Sequence, residues 1–178
     1  MTIYKIPKQK NGRLKRDRKR KLGLLDFQNF VEKTSTEFKH GKSPSDIFEI
    51  YGIVNSQKKE YEYRLLQHFL SDDIDLNDYK LLSRIASLHG AKAMDLGFVY
   101  LIKIHNRIKF GKTKDLASRL NVYKSNSGTE PDMIKFIFGV DYSNKEKELI
   151  KAFKNKGITK EWFAVEMKDP ILEFMEKM

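Results

Sequence analysis

Apolar residues recur at helical spacing through the first half of the chain. Over 24–40 the repeat places Leu24, Phe27, Phe30, Val31 and Phe38 on one stripe, and Gly41 suits a helix end. Ser43-Pro44-Ser45-Asp46 opens a second helix over 43–52, with Ile47, Ile50 and Tyr51 on one face. A third starts at Asn55 and carries Tyr61, Leu65, Leu66 and Phe69. Asp78 opens a fourth, with Leu81, Leu82, Ile85 and Leu88 inside and Gly90 after its end. The short helix, glycine turn and longer helix over 45–70 fit a helix-turn-helix, although ordinary helix packing gives the same pattern more simply.

The pattern changes after Gly90. Residues 98–104 (FVYLIKI) are aromatic and β-branched and predict a strand. His105-Asn106 predicts a two-residue turn, since Asn tolerates the left-handed region, and 107–110 returns as the partner strand. A helix over 113–124, a loop at 125–128, a strand at 133–140, a helix over 143–154 and a short strand at 161–165 follow. Asp169-Pro170 starts a last helix with proline at its first position. The class is α+β: a small antiparallel sheet flanked by helices over 94–178, after an all-helical unit over 23–93 and a tail over 1–22.

Charge sets the tail apart. The net charge is +11, yet residues 1–22 hold ten basic residues against Asp17, and 23–178 are nearly balanced. The run Arg13, Lys15, Arg16, Arg18, Lys19, Arg20, Lys21 repels itself and should be extended or disordered when free. Against phosphates it would release counterions and bind nucleic acid without reading sequence. A basic membrane-surface segment is disfavoured, because bulky apolar residues are missing between the charges. With no cysteine, disulfides, thiolate metal sites and cysteine nucleophiles are excluded. No apolar run approaches the roughly 20 residues of a membrane helix. Asp26, Gln28 and Asn29 interrupt the segment after the basic run, so it is no signal peptide. The expectation is a cytoplasmic protein, or a nuclear one in a eukaryote. Gly111-Lys112-Thr113 imitates the end of a phosphate-binding loop, but Asn106 stands where the first glycine is required and 108–110 reads as strand. No nucleotide cofactor is expected.

A two-residue turn sets Tyr100 opposite Gly111 and Ile102 opposite Lys109, so Tyr100 and Lys109 share a face. Val99, Leu101, Ile108 and Phe110 take the apolar face. Arg119 and Tyr123 are four apart on the next helix and stack together. An Asp115–Arg119 surface pair is the plainer reading of that arginine. Glu146 shares a stripe with Leu149, Ile150 and Phe153, and a carboxylate there needs a partner or a job. Its plain reading is capping, because Ser143-x-x-Glu146 has the spacing of a capping box.

Gly97-Phe98-Val99-Tyr100, Lys109-Phe110-Gly111-Lys112, Asp115-Leu116, Arg119 and Tyr123 together resemble the GIY-YIG nuclease superfamily, and most nearly its phage and mobile-element branch. In that branch the second motif reads K-I-G-K-T, and a helix of the form E-x-x-L-h-x-x-F leads to E-W-F. Glu146, Leu149, Ile150 and Phe153, then Glu161-Trp162-Phe163, follow that order. The resemblance implies phosphodiester hydrolysis with one divalent ion, Mg2+ or Mn2+. It implies that Tyr100 helps activate water, Arg119 braces the phosphate and Glu146 binds the metal. Lys109, Lys112 and Tyr123 match further active-site positions. Phe98 replaces the usual isoleucine, and Lys109 replaces the second-motif tyrosine, so a supporting hydroxyl is lost. Glu161 and Trp162 read as a strand and core signature, with Trp162 buried. His40, His68, His89 and His105 read as structural or surface residues.

The implied function is a metal-dependent DNA endonuclease. Homing members usually place the nuclease first, so the reversed order here favours a free-standing phage or mobile-element enzyme. The alternative is a non-catalytic DNA-binding or regulatory protein on the same scaffold. A two-strand cut from one site per chain calls for a homodimer or sequential nicks.

Overall fold

The computed structural model describes residues 20–71, 74–159 and 161–178. Of the basic run only Arg20 and Lys21 fall among them; Arg13, Lys15, Arg16, Arg18 and Lys19 lie outside the described residues. The helices of the first half are α1 (Leu24–Lys39), α2 (Pro44–Ile50), α3 (Lys58–Ser71) and α4 (Tyr79–Ala86). The chain divides into two compact units within α3, one ending at Tyr61 and the other spanning Glu62–Met178. The division falls earlier in the chain than the change of pattern near Gly90, and α4 belongs to the unit that holds the sheet.

In the first unit α1 buries Phe27, Phe30, Val31 and Phe38, four of the residues that its periodicity selects. Ser43 and Asp46 form a reciprocal capping box at the start of α2. That helix buries Ile47 and Phe48, while Ile50 is 56% exposed, against the expectation that Ile50 faces inward. At 3.6 residues per turn, a face centred between positions 47 and 48 leaves position 50 roughly 110° away. Phe30, Phe48 and Tyr61 pack with ring centroids 5.2–6.4 Å apart. The Thr34 hydroxyl donates to the Phe30 carbonyl at 2.6 Å, so the Tyr61 hydroxyl donates to it, at 2.8 Å. The end of the basic run is tied to this unit. The Arg20 N–H donates to the Gly52 carbonyl, the Val54 N–H donates to the Arg20 carbonyl, and the Gln57 amide pairs with both backbone groups of Leu22.

In the second unit α4 is capped by Asp78, which accepts from the Lys80 and Leu81 N–H groups. The helix ends at Ala86, yet Leu88 is still buried, through the turns that follow. Then come β1 (Gly97–Ile104), β2 (Arg107–Thr113), α5 (Leu116–Ser127), β3 (Asp132–Gly139), α6 (Tyr142–Ala152), β4 (Trp162–Ala164) and α7 (Lys168–Glu176). The four strands form one antiparallel sheet in the order β3-β1-β2-β4. The α+β class and the flanking helices are as the sequence predicts.

Several boundaries differ from expectation. β2 runs on to Thr113, because Phe98 pairs with Thr113, so α5 starts only after Asp115, whose carboxylate accepts from the Ser118 N–H. α5 continues through 125–127 and stops at Gly128, in the left-handed region at φ 68°. Pro170 is the third residue of α7, not the first. In the β1–β2 turn the left-handed residue is His105, at φ 53°, and not Asn106.

The sheet has two unlike faces. Val99, Leu101, Ile108 and Phe110 form a core with Leu149 and Phe153 of α6, Phe163, and Ile171 and Met175 of α7. The opposite face carries Phe98, which packs on Phe136 and Phe138, with Tyr79 of α4 edge-on to Phe136. Ser83 joins α4 to α5: its buried hydroxyl donates to the Tyr79 carbonyl and accepts from the Leu116 and Ala117 N–H groups at 3.0 and 3.4 Å. Among the described residues no helix is long and apolar enough to cross a membrane. Ser83→Ala leaves the Leu116 N–H without its acceptor, and should lower stability by about 1–2 kcal/mol, measured by urea denaturation.

Candidate functional site

The β1–β2 register is the one that a two-residue turn requires: Ile104 opposite Arg107, Ile102 opposite Lys109, Tyr100 opposite Gly111. Gly111 has a steric reason. A Cβ there would lie 2.7 Å from the Tyr100 hydroxyl oxygen and 3.0 Å from its ring carbon, so the Tyr100 ring lies across the space that a side chain would fill. Tyr100 is 2% exposed, and its hydroxyl bonds to the Tyr123 hydroxyl on α5 at 2.8 Å, with the rings edge to face. Burial first, and the Tyr123 hydrogen bond second, push the Tyr100 phenol well above its ordinary value of 10.0. The Arg119 guanidinium is near enough to oppose that shift. Arg119 is exposed, and among the described residues it makes no ion pair; the Asp115 carboxylate is engaged in capping instead.

Lys109 lies on the same side of the strand and is 7% exposed. Its ammonium donates to Glu161 at 2.5 Å and sits 5.3 Å from the centre of the Trp162 ring. The E-W-F segment therefore neutralises the lysine that stands in the tyrosine position. Trp162 is half-buried, short of the full burial expected, because one face of its indole serves this cation.

Lys112 points to the other side, as alternation along β2 demands, and there α6 covers the sheet. Its ammonium pairs with the Glu146 carboxylate at 3.0 Å. Glu146 is 8% exposed on the stripe that also buries Leu149. The capping reading fails. The N-cap of α6 is Asp141, and Ser143 turns to Asp95, whose carboxylate accepts from the Ser143 N–H and hydroxyl at 3.4 and 3.3 Å. The Glu146 hydrogen bond raises the Lys112 ammonium above its ordinary value, and Tyr142 and Asp95 add to it. Glu148 is exposed.

The expected site residues thus gather in two groups. Tyr100, Tyr123, Arg119 and Lys109 lie toward the α5 side of the hairpin, Lys112 and Glu146 toward the α6 side. Among the described residues no hydrogen bond or ion pair links the groups directly. Sequence reasoning missed Asp95, which lies in a connector at φ 48° without any periodic pattern to mark it. It also missed Glu161 as the Lys109 partner; the complementary charges of Lys109 and the E-W-F segment were the available signal. His40, His89 and His105 are exposed and His68 half-buried, and none enters either group.

A raised phenol pKa has a sign. The unfolded chain releases the Tyr100 proton near pH 10 while the folded chain keeps it, so this contribution is complete below pH 10 and declines as pH rises above it. Absorbance at alkaline pH should show Tyr100 ionising only with unfolding, and Tyr100→Phe should remove that late step. Gly111→Val drives Cβ into the Tyr100 ring, and should cost about 1–3 kcal/mol by thermal unfolding.

A family model described as the T5orf172 domain matches residues 97–178, from the first residue of β1 through the end of α7. No curated protein and no solved structure gives a significant match. The sheet, α5, α6 and α7, with both groups of polar residues, thus lie within a stretch similar to the T5orf172 domain, a phage-associated, nuclease-like domain.

Proposed function

We propose that the chain is a metal-dependent DNA endonuclease of the GIY-YIG type, in which the domain over 97–178 hydrolyses phosphodiester bonds. The observation that carries this reading is Glu146. A carboxylate on an apolar stripe is costly unless it is paired or used. Capping does not employ it, and its partner is the Lys112 ammonium of the second motif. Arg119, in the other group beside the Tyr100–Tyr123 pair and without an ion pair among the described residues, is the candidate phosphate ligand.

The residues fit one hydrated magnesium ion. Among the described residues no group of three His, Asp or Glu side chains can cage an ion. Magnesium, however, keeps most of its waters and takes one or two carboxylates together with substrate oxygens. Glu146 would hold it, and Lys112 already places a positive charge there in the free protein. When bound, the ion lowers the pKa of water and offsets charge at the leaving oxygen. Arg119 offers forked donors to the non-bridging phosphate oxygens. Tyr100, held protonated by burial, acts as a hydrogen-bond donor that Tyr123 orients, and not as a base. The basic tail and the helical segments before residue 97 hold the DNA.

A specific observation favours a second reading, a DNA-binding protein without catalysis. Lys109 occupies the second-motif tyrosine position and is committed to Glu161 and Trp162, so this position offers no hydroxyl. One experiment separates the two. Supercoiled plasmid incubated with Mg2+ should be nicked or cut, and chelator should stop the reaction. Glu146→Gln and Arg119→Ala should each slow it by about 100-fold or more. Plasmid that is bound but left intact by the wild type would establish the second reading.

A further inference from the structure

We propose that Lys92 and Lys114 form a phosphate-binding lip beside Glu146 that holds the backbone of duplex DNA flanking the bond to be cut. This rests on the nuclease reading above and names the surface that would seat its substrate. Lys114 follows Thr113, the last residue of β2, two positions beyond Lys112. Lys112 is committed to Glu146. Lys114 is half-buried and, among the described residues, makes no hydrogen bond or ion pair; Lys92, exposed in the turns between α4 and β1, makes none either.

The Phe98–Thr113 pair sets Lys114 beside the connector before β1, where the Asp95 N–H donates to the Lys92 carbonyl at 3.2 Å. Burial, then the charge of Lys92, hold the Lys114 ammonium below the ordinary lysine value. Asp95 attracts both Lys112 and Lys114, but its carboxylate already accepts from Ser143. Asp95 thus has three lysines about it, of which Lys92 and Lys114 make no hydrogen bond or ion pair through their side chains among the described residues. A partly desolvated ammonium held near a like charge is unfavourable in the free protein, and a polyanion relieves both terms. The groups are ammonium point charges, which suit backbone phosphates and not base edges. Duplex DNA supplies phosphates at about 1.7 Å of helix axis per charge, so one lying at Glu146 leaves its neighbours within reach of the lip.

The test is binding of the full chain to a short fluorescent duplex in chelator, followed by anisotropy from about 50 to 200 mM salt. Lys92→Gln/Lys114→Gln should reduce the slope of log K against log salt by about two, and weaken binding about tenfold or more at ~0.1 M salt. Each single variant should give about half the change in slope. Lys92→Arg/Lys114→Arg should restore the wild-type slope. Lys177→Gln, on a lysine already paired with Glu173, should leave it unchanged. An unchanged slope in the double glutamine variant, or an equal change in Lys177→Gln, overturns the proposal. Chelator removes catalysis from this experiment, so a changed slope upholds the lip even if plasmid is never cut. Glu146-dependent cutting with an unchanged slope rejects the lip and leaves the nuclease reading in place.

Discussion

Strand alternation along the β1–β2 hairpin governs everything that surrounds it. Because Tyr100 stands opposite Gly111, one side of the hairpin has room for a buried aromatic ring and the other side can be filled with Val99, Leu101, Ile108 and Phe110. A slip of one residue would exchange the two faces and put Lys109 into the apolar core. The two-residue turn at His105-Asn106 prevents that slip, and His105 supplies the positive φ that so short a turn needs.

Each face then collects its own chemistry. On the α5 side burial keeps a phenol protonated, and a neighbouring hydroxyl orients it. On the α6 side a carboxylate and an ammonium neutralise one another at the edge of an apolar core. Buried polar groups in this region all have partners; among the described residues no buried side-chain nitrogen or oxygen lacks a hydrogen bond. Arg119, Lys114 and Lys92, exposed or half-exposed, make no ion pair among the described residues.

The T5orf172 match over 97–178 contains the stretch whose motifs resemble the GIY-YIG nucleases. The match covers the sheet together with α5, α6 and α7. Ser83 of α4 lies outside that stretch, yet it supplies the acceptor for the first N–H groups of α5, the helix that carries Arg119 and Tyr123. Asp95 does the same for the start of α6, which carries Glu146. The segment just before the matched domain thus fixes both helices that hold its polar residues.

Periodicity alone determined much of this protein. Tyr61, Leu65, Leu66 and Phe69, and Leu81, Leu82, Ile85 and Leu88, are buried as their spacing requires, and the hairpin register followed from the length of its turn. Those features are local, set by 3.6- and two-residue repeats within one element. The tertiary structure decided what depends on contacts between elements: that β2 extends to Thr113, that Ser143 bonds Asp95 and frees Glu146 from capping, and that Glu161 neutralises Lys109. Such pairings join residues 48 and 52 positions apart in the chain, and no repeat within a single helix or strand carries a trace of them.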